Sequence, residues 1–473
     1  MPTHPRHHVV REGEIAIYHT WSRCVQRAFL CGRDPLTGHD YSYRCEWIEQ
    51  LLEYLAGVFA VDVGNYTILS NHQHAILRTR PDIVTRWSDE EVAWRWICAW
   101  PQWNGDRWVA TPSDQRIRKL LADPERLARV RKNLASLSWF MARWKEPIAK
   151  MANAEMGRHG HFYEQRYGCR ELLEQAAVLI GLIYLDLNQL RAGLADSLAS
   201  ANYSAIQRRI AQWLRAEAVA SVDEFLKKRS RRRPNWELEV AAVEDLLTGC
   251  FLAPIAPQGE LLLVNDAGAE PIYLNTRDPE QDAPTPVGLG EPNEEPATVD
   301  TPAPEAVVAE DDGAADPCTV RQETASDCDS ARQDDPAAPV DAPSPAAPAR
   351  SVRRSSQQRP TYTIHNRWRQ RARRRASDQP ILFMCPERYL ELATCAARRC
   401  LRAEADAISD LPGPLAAELT QRGIRPERWP AALEAFDRRF GHAVGSAAHL
   451  RAFLARVAQR WLHGIRACRD VFT

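Results

Sequence analysis

VDVGNYTILSNHQHAILRTR (61–80) reads as two strands joined by a tight turn. Val61 to Ser70 is rich in β-branched and apolar residues, His72 to Arg80 continues as a second strand, and Asn71 between them suits a turn. On a strand, residues i and i+2 share a face, so His72 and His74 project together and Gln73 projects the other way. Two neutral imidazoles side by side make half of a divalent-metal site, which needs a third oxygen or nitrogen ligand. Taken alone, such a pair is more readily explained as two polar residues at a partly solvated strand mouth, because short motifs recur by chance. Support has to come from elsewhere in the chain.

The flanking segments extend a mixed α/β pattern. Glu14 to Arg23 alternates as a strand, and Cys45 to Phe59 carries Trp47, Ile48, Leu51, Leu52 and Leu55 at helical spacing. After Arg80 the chain turns helical and Trp-rich; Ser88 and Glu91 form a capping box, and Asp123-Pro124 is a second helix start. A helical pattern then runs from Pro124 to about Met156, bent at Pro147. Leu172 to Ala192 reads as the most apolar helix, with Gly193 as its cap.

That apolar helix carries Tyr184 and Asn188, four apart and so stacked on one face, with Arg191 seven residues on. A tyrosine hydroxyl, with an unperturbed pKa near ~10, needs activation before it can attack phosphorus. A metal ion can supply this by polarising the phosphate, and Asn188 offers an amide oxygen as third ligand beside His72 and His74. Arg191 is placed to hold a DNA phosphate. A core tyrosine alone would need no such explanation, but an asparagine buried one turn away needs partners of its own.

Several stretches together resemble one family: AIYHTWSRCVQRAFLCG (16–32), YTILSNHQHAILRTRP (66–81), LSWFMARWKEPIAK (137–150), GHFYEQRY (160–167) and IYLDLNQLRAG (183–193). In this order they are similar to the REP-associated tyrosine transposases, single-tyrosine members of the HUH nuclease superfamily. The resemblance covers about residues 10–210, and RWLHGIRACRDVF (460–472) is similar to the end of longer members. It implies an α+β fold, a small antiparallel sheet flanked by helices of ferredoxin-like type. It also implies catalytic His72, His74 and Tyr184, and Mg²⁺ or Mn²⁺ held by His72, His74 and Asn188. The implied partner is single-stranded or hairpin DNA, cleaved and rejoined through a 5′-phosphotyrosine link, with Arg166 as a further DNA contact. Gln73 and Gln189 depart from the family pattern, which has a bulky hydrophobe and a proline there. The alternative is a binding protein that keeps the fold without catalysis. A replication initiator is disfavoured by the single tyrosine and the lack of a GxxxxGK[ST] loop.

The chain has 473 residues, 45% hydrophobic and 26% charged, which suits two or three globular domains. No apolar run is long enough for a membrane span, and the twelve cysteines are scattered without a CxxC pair, so we expect reduced thiols in a cytoplasmic, nucleoid-associated protein without a small-molecule cofactor. The net charge of −1 hides a segregation of basic ends from an acidic middle. The expected organisation is a nuclease domain over 10–210 with a helical insertion at 82–130, then a helical basic extension over 211–264. An acidic, Pro/Ala-rich disordered linker (265–360) and a small basic all-α domain (361–473) would follow. Lys227, Lys228, Arg231, Arg232 and Arg233 are candidate phosphate contacts, although charge runs are as often simply solvated. His159 and His161 lie in a Gly-bounded loop where nothing forces their rings together. The oligomeric state and the recognised DNA sequence are left open.

Overall fold

The computed structural model describes residues 9–230, 251–256, 375–377, 379–401, 411–434, 436–459 and 462–472. The expected linker and Arg231, Arg232 and Arg233 lie outside the described residues. Every described residue belongs to one compact unit, spanning 1–285 and 372–473.

The fold is α+β. Strands β1 (Ile17–Arg23), β2 (Val61–Ile68), β3 (His72–Thr79) and β6 (Gly168–Leu172) pair antiparallel. Strand β9 (Ala443–Val444) then joins β6 in parallel, giving the order β2-β3-β1-β6-β9. The expected β2–β3 hairpin is present; Leu69 N–H closes it onto His72 O at 2.8 Å. The sheet is therefore mixed rather than antiparallel throughout, because a strand from the far end of the chain extends it.

Two apolar layers cover its two faces. On one side, α1 (Arg44–Ala56) and α6 (Leu137–Glu155) pack on Tyr18, Ala75 and Leu77. The 82–130 region adds α3 (Asp89–Cys98), α4 (Asp114–Leu121) and α5 (Pro124–Asn133), with a small hairpin, β4 (Gln102–Trp103) and β5 (Trp108–Val109). α2 (Pro81–Val84) precedes them. The Ser88 and Asp123 caps form as the sequence predicts. The expected single helix from Pro124 to Met156 is instead two, because Ser136 accepts from Trp139 N–H and starts α6 afresh.

On the other face lies α7 (Gln175–Asp186), continued through Leu187 into α8 (Asn188–Arg191). The expected helix start at Leu172 is corrected: Gly168–Leu172 is strand β6. Residues Ala176 to Asp186 are all buried, and a helix that is apolar on every side must be covered on every side. The sheet covers one side and the C-terminal segment the other, through α11 (Pro386–Leu401), α13 (Trp429–Glu434) and α14 (Phe436–Arg439). α9 (Ala205–Ala216) and α10 (Val222–Ser230) complete this layer, with α12 (Gly413–Gln421), α15 (Ala447–Arg456) and α16 (Ile465–Val471) in the C-terminal part. The expectation of a separate all-α C-terminal domain is thus corrected. Its described residues share the main core, and besides β9 they supply β8 (Leu382–Phe383), which pairs with β7 (Ile255–Ala256). Among the described residues no helix is long and apolar enough to cross a membrane.

Polar contacts fix this docking. Asp62 and Arg78 are fully buried and paired at 2.7 Å, and Asp62 also accepts from Ser377 N–H at 2.8 Å. Arg78 donates to the carbonyls of Gln379 and Pro380. Asp186 accepts from Asn65 Nδ2 at 2.8 Å and from the Tyr389 hydroxyl. Burial pushes the Asp186 carboxyl up to about 6, against the pull of those two donors. Its folded pKa lies above the unfolded value, so the native state binds the proton more tightly and this group's stabilising effect is lost as pH rises through that window. Asp186→Asn is therefore expected to be more stable than wild type at pH 7 by about 1–2 kcal/mol. The Tyr389 hydroxyl can reverse to accept from the new amide. Urea unfolding at pH 7 and pH 4 checks this; a gap that does not close at pH 4 contradicts it.

Candidate active site

Strand pairing builds the site. His19 stands opposite Ile76, Trp21 opposite His74 and Arg23 opposite His72, while His19 and Trp21 also face Arg170 and Gly168 of β6. Directly opposite residues share a face, so His19, His72, His74 and Arg170 all rise on the side covered by α7. Two glycines allow the close packing. A Cβ on Gly168 would lie 2.2 Å from the Trp21 ring, and one on Gly181 would lie 3.1 Å from Ile76 Cδ1. Gly181 thereby lowers α7 onto the sheet one turn before Tyr184.

The expected pair comes together with the expected tyrosine. The His72 and His74 rings are 5.1 Å apart, and His74 meets the Tyr184 ring edge-on at 6.2 Å. His72 Nδ1 lies 2.6 Å from Asn71 Oδ1, and His74 Nδ1 lies 3.0 Å from His19 Nε2. Both imidazoles thus engage Nδ1 and keep Nε2 for another partner. Burial, then the nearby Arg23 cation, pulls the His72 pKa down to about 4. Burial, then His72, holds His74 well below the usual histidine range. Both are neutral near pH 7, the state in which imidazole can ligate a metal.

Tyr184 is buried, 5% exposed. Burial and the Asp437 carboxylate push its phenol up to about 12, opposed by the Arg191 and Arg170 guanidiniums and the Asn188 side chain. Asn188 is buried beside it, and its Nδ2 has no hydrogen-bond partner. The exposed Arg191 places its guanidinium carbon 5.2 Å from the Tyr184 ring. Arg166 is exposed in the loop two residues before β6. Lys227 is exposed on α10, while Lys228 is engaged in an ion pair with Glu217 at 3.1 Å. His159 and His161 are both exposed, in keeping with the loop reading. The two departures from the motif pattern have structural roles. Gln73 is buried on the opposite face near the Tyr163 hydroxyl, and Gln189 ties α8 to β2 by donating to Ile68 O at 2.6 Å.

Sequence reasoning missed three contributors. His19 sits in the alternation of IYHTWSR, but its side becomes known only once β1 is paired with β3. Arg170 is buried between the Trp21 and Phe436 rings and donates to the carbonyls of Phe436 and Asp437. Phe436 packs 4.9 Å from the Tyr184 ring and 5.4 Å from His19. Nothing local to 436–437 announces this role.

No family model matches the sequence, and no curated protein matches it. Among solved structures, a REP-associated tyrosine transposase bound to a REP hairpin is similar over 45% of this chain and 86% of that one, with 12% identity and a TM-score of 0.26. A likeness that slight carries no argument about the site.

Proposed function

We propose that the chain is a metal-dependent nuclease and strand transferase acting on structured single-stranded DNA, hairpins of repeated palindromes, through Tyr184. The contact of His74 with both His72 and Tyr184 carries this reading, and the ordered motif resemblance supports it. In the reaction, Tyr184 Oη attacks phosphorus and the P–O3′ bond breaks with its electron pair leaving on O3′. The phenolic proton ends on the new 3′-hydroxyl, and the 5′ end stays on tyrosine. Rejoining is the reverse and needs no external energy source.

Among the described residues no three His, Cys, Asp or Glu side chains stand together as a metal site. A divalent ion would rest on His72 Nε2, His74 Nε2 and Asn188 Oδ1, with the substrate phosphate completing the set. The donor set fits: both imidazoles are neutral with Nδ1 engaged and Nε2 left over, and the Asn188 side chain carries an amide oxygen, Oδ1, of the kind such ions take. When bound, Mg²⁺ or Mn²⁺ polarises the phosphate and stabilises its growing charge. Arg191 beside the tyrosine suits a phosphate oxygen, and Arg166 and Lys227 are further candidate contacts. Lys228, paired with Glu217 at 3.1 Å, is another.

His19 would act through His74 by fixing its ring and tautomer. Partners of this kind are typically worth about 10–100-fold in metal affinity. His19→Gln is expected to raise the Mn²⁺ concentration needed for half-maximal cleavage by roughly that factor, with near-normal rates at saturation. An unchanged Mn²⁺ titration would leave His19 a packing residue.

One observation favours a second reading. The Phe436 ring covers Tyr184, and a protein that only binds hairpins would tolerate a covered tyrosine. The test is incubation of the full chain with a single-stranded hairpin in Mn²⁺, with an EDTA control. Metal-dependent cleavage is expected; binding without cleavage on a cognate repeat would leave the binding-only reading.

A further inference from the structure

The Trp-rich insertion plays no part in this chemistry, and it lies on the other side of the sheet. Trp96 of α3, Trp100 just beyond it and Trp139 of α6 form one aromatic cluster. Ring centroids are 4.4 Å apart for Trp96–Trp100 and 5.1 Å for Trp96–Trp139. These rings are incompletely buried, and Trp100 is 37% exposed. Trp108 and Trp144 donate their indole N–H groups to backbone carbonyls, whereas Trp96, Trp100 and Trp139 make no such bond to a described residue. The guanidinium carbon of Arg143, which is largely buried and paired with Glu146, lies 5.0 Å from the Trp100 ring. Buried tryptophans normally tie their N–H to the protein; a partly exposed cluster that leaves these groups uncommitted has the form of a contact surface.

The surrounding charge selects the partner. Helices α4 and α5, packed against α3, expose Arg116, Arg118, Lys119, Arg126, Arg129 and Lys132, against Asp114, Asp123 and Glu125. The exposed acids of α3, Asp89 and Glu90, sit in its first turn, at the end away from Trp96 and Trp100, and Asp89 is paired with Arg131. Aromatic faces flanked by cations suit a polyanion with flat apolar bases, because indole stacks on any base while the cations follow phosphates. We propose that Trp96, Trp100 and Trp139 form a stacking platform for unpaired nucleotides of a DNA strand, on the sheet face opposite Tyr184. The platform rests on the reading that DNA is the substrate. It holds strand that flanks the reacting phosphate rather than the phosphate itself.

The test uses a short oligothymidylate, which has no hairpin, titrated into the full chain at fixed salt with anisotropy and indole fluorescence as readouts. Wild type is expected to bind with quenching, Trp100→Ala to bind roughly tenfold more weakly, and Trp100→Phe to recover most of the loss. Thermal melts confirm that each variant is folded, and Arg118→Gln with Lys119→Gln offers a second variant set that leaves the core untouched. The platform is overturned if wild type does not bind the oligothymidylate, or if Trp100→Ala binds it as wild type does. It is equally overturned if Trp100→Ala changes only self-association in sedimentation, which would make the patch an interface between copies. Covalent adduct formation at Tyr184 is followed in parallel. Its absence would end the nuclease reading while leaving oligothymidylate binding to decide the platform.

Discussion

Replacing Asp62 by alanine is expected to destabilise the protein by about 3–5 kcal/mol, the usual cost of stripping one partner from a buried ion pair. Asp62 and Arg78 are both fully buried, and Asp62 accepts from Arg78 Nε at 2.8 Å, from Ser377 N–H at 2.8 Å and from Ser377 Oγ at 2.9 Å. Arg80 Nη1 adds a longer contact at 3.4 Å. Without the carboxylate, Arg78 keeps only the carbonyls of residues 379 and 380 and Ser377, and its charge is left buried without an anion. Because Ser377 leads into β8 and α11, the loss should loosen the C-terminal layer first. Urea unfolding gives the magnitude, and amide exchange over 379–401 gives the location. A change under about 1 kcal/mol would mean that this network does not hold the C-terminal segment.

His74→Ala is expected to slow metal-dependent cleavage on the order of a thousandfold. The ion's charge stabilisation is worth several kcal/mol, and each ~1.4 kcal/mol is tenfold in rate. His74 touches His72, His19 and Tyr184, so its loss removes one ligand and frees the partner that fixes it. Hairpin affinity measured in EDTA should change little, since phosphate contacts by arginine do not pass through this imidazole. Retained cleavage would make His74 a packing residue, and equal loss of affinity would make it part of a binding surface. Urea unfolding of the variant separates either result from simple misfolding.

What could be read from the sequence was local. The β2–β3 hairpin, the Ser88 and Asp123 caps and the stacking of Asn188 beside Tyr184 all follow from neighbours a few residues apart. What could not be read depends on partners far away. His19 joins His74 only through the pairing of β1 with β3. Leu172 pairs with Val444 across the whole chain, which no periodicity specifies. One clue to the second layer was present: Ala176 to Leu185 is apolar on every side, and such a helix requires cover on every side. The break before α6 was hidden because Ser136 interrupts an otherwise continuous helical pattern with no proline or glycine.

The proposed chemistry stands or falls on a covalent bond. Full-length protein is incubated with a hairpin carrying a single-stranded flank in Mn²⁺, denatured and digested, and the peptide bearing the DNA is identified by mass spectrometry. We expect a phosphodiester on Tyr184, lost in Tyr184→Phe while hairpin affinity is retained. An adduct on another residue, or cleavage by Tyr184→Phe at the wild-type rate, would contradict the assignment of Tyr184 as nucleophile.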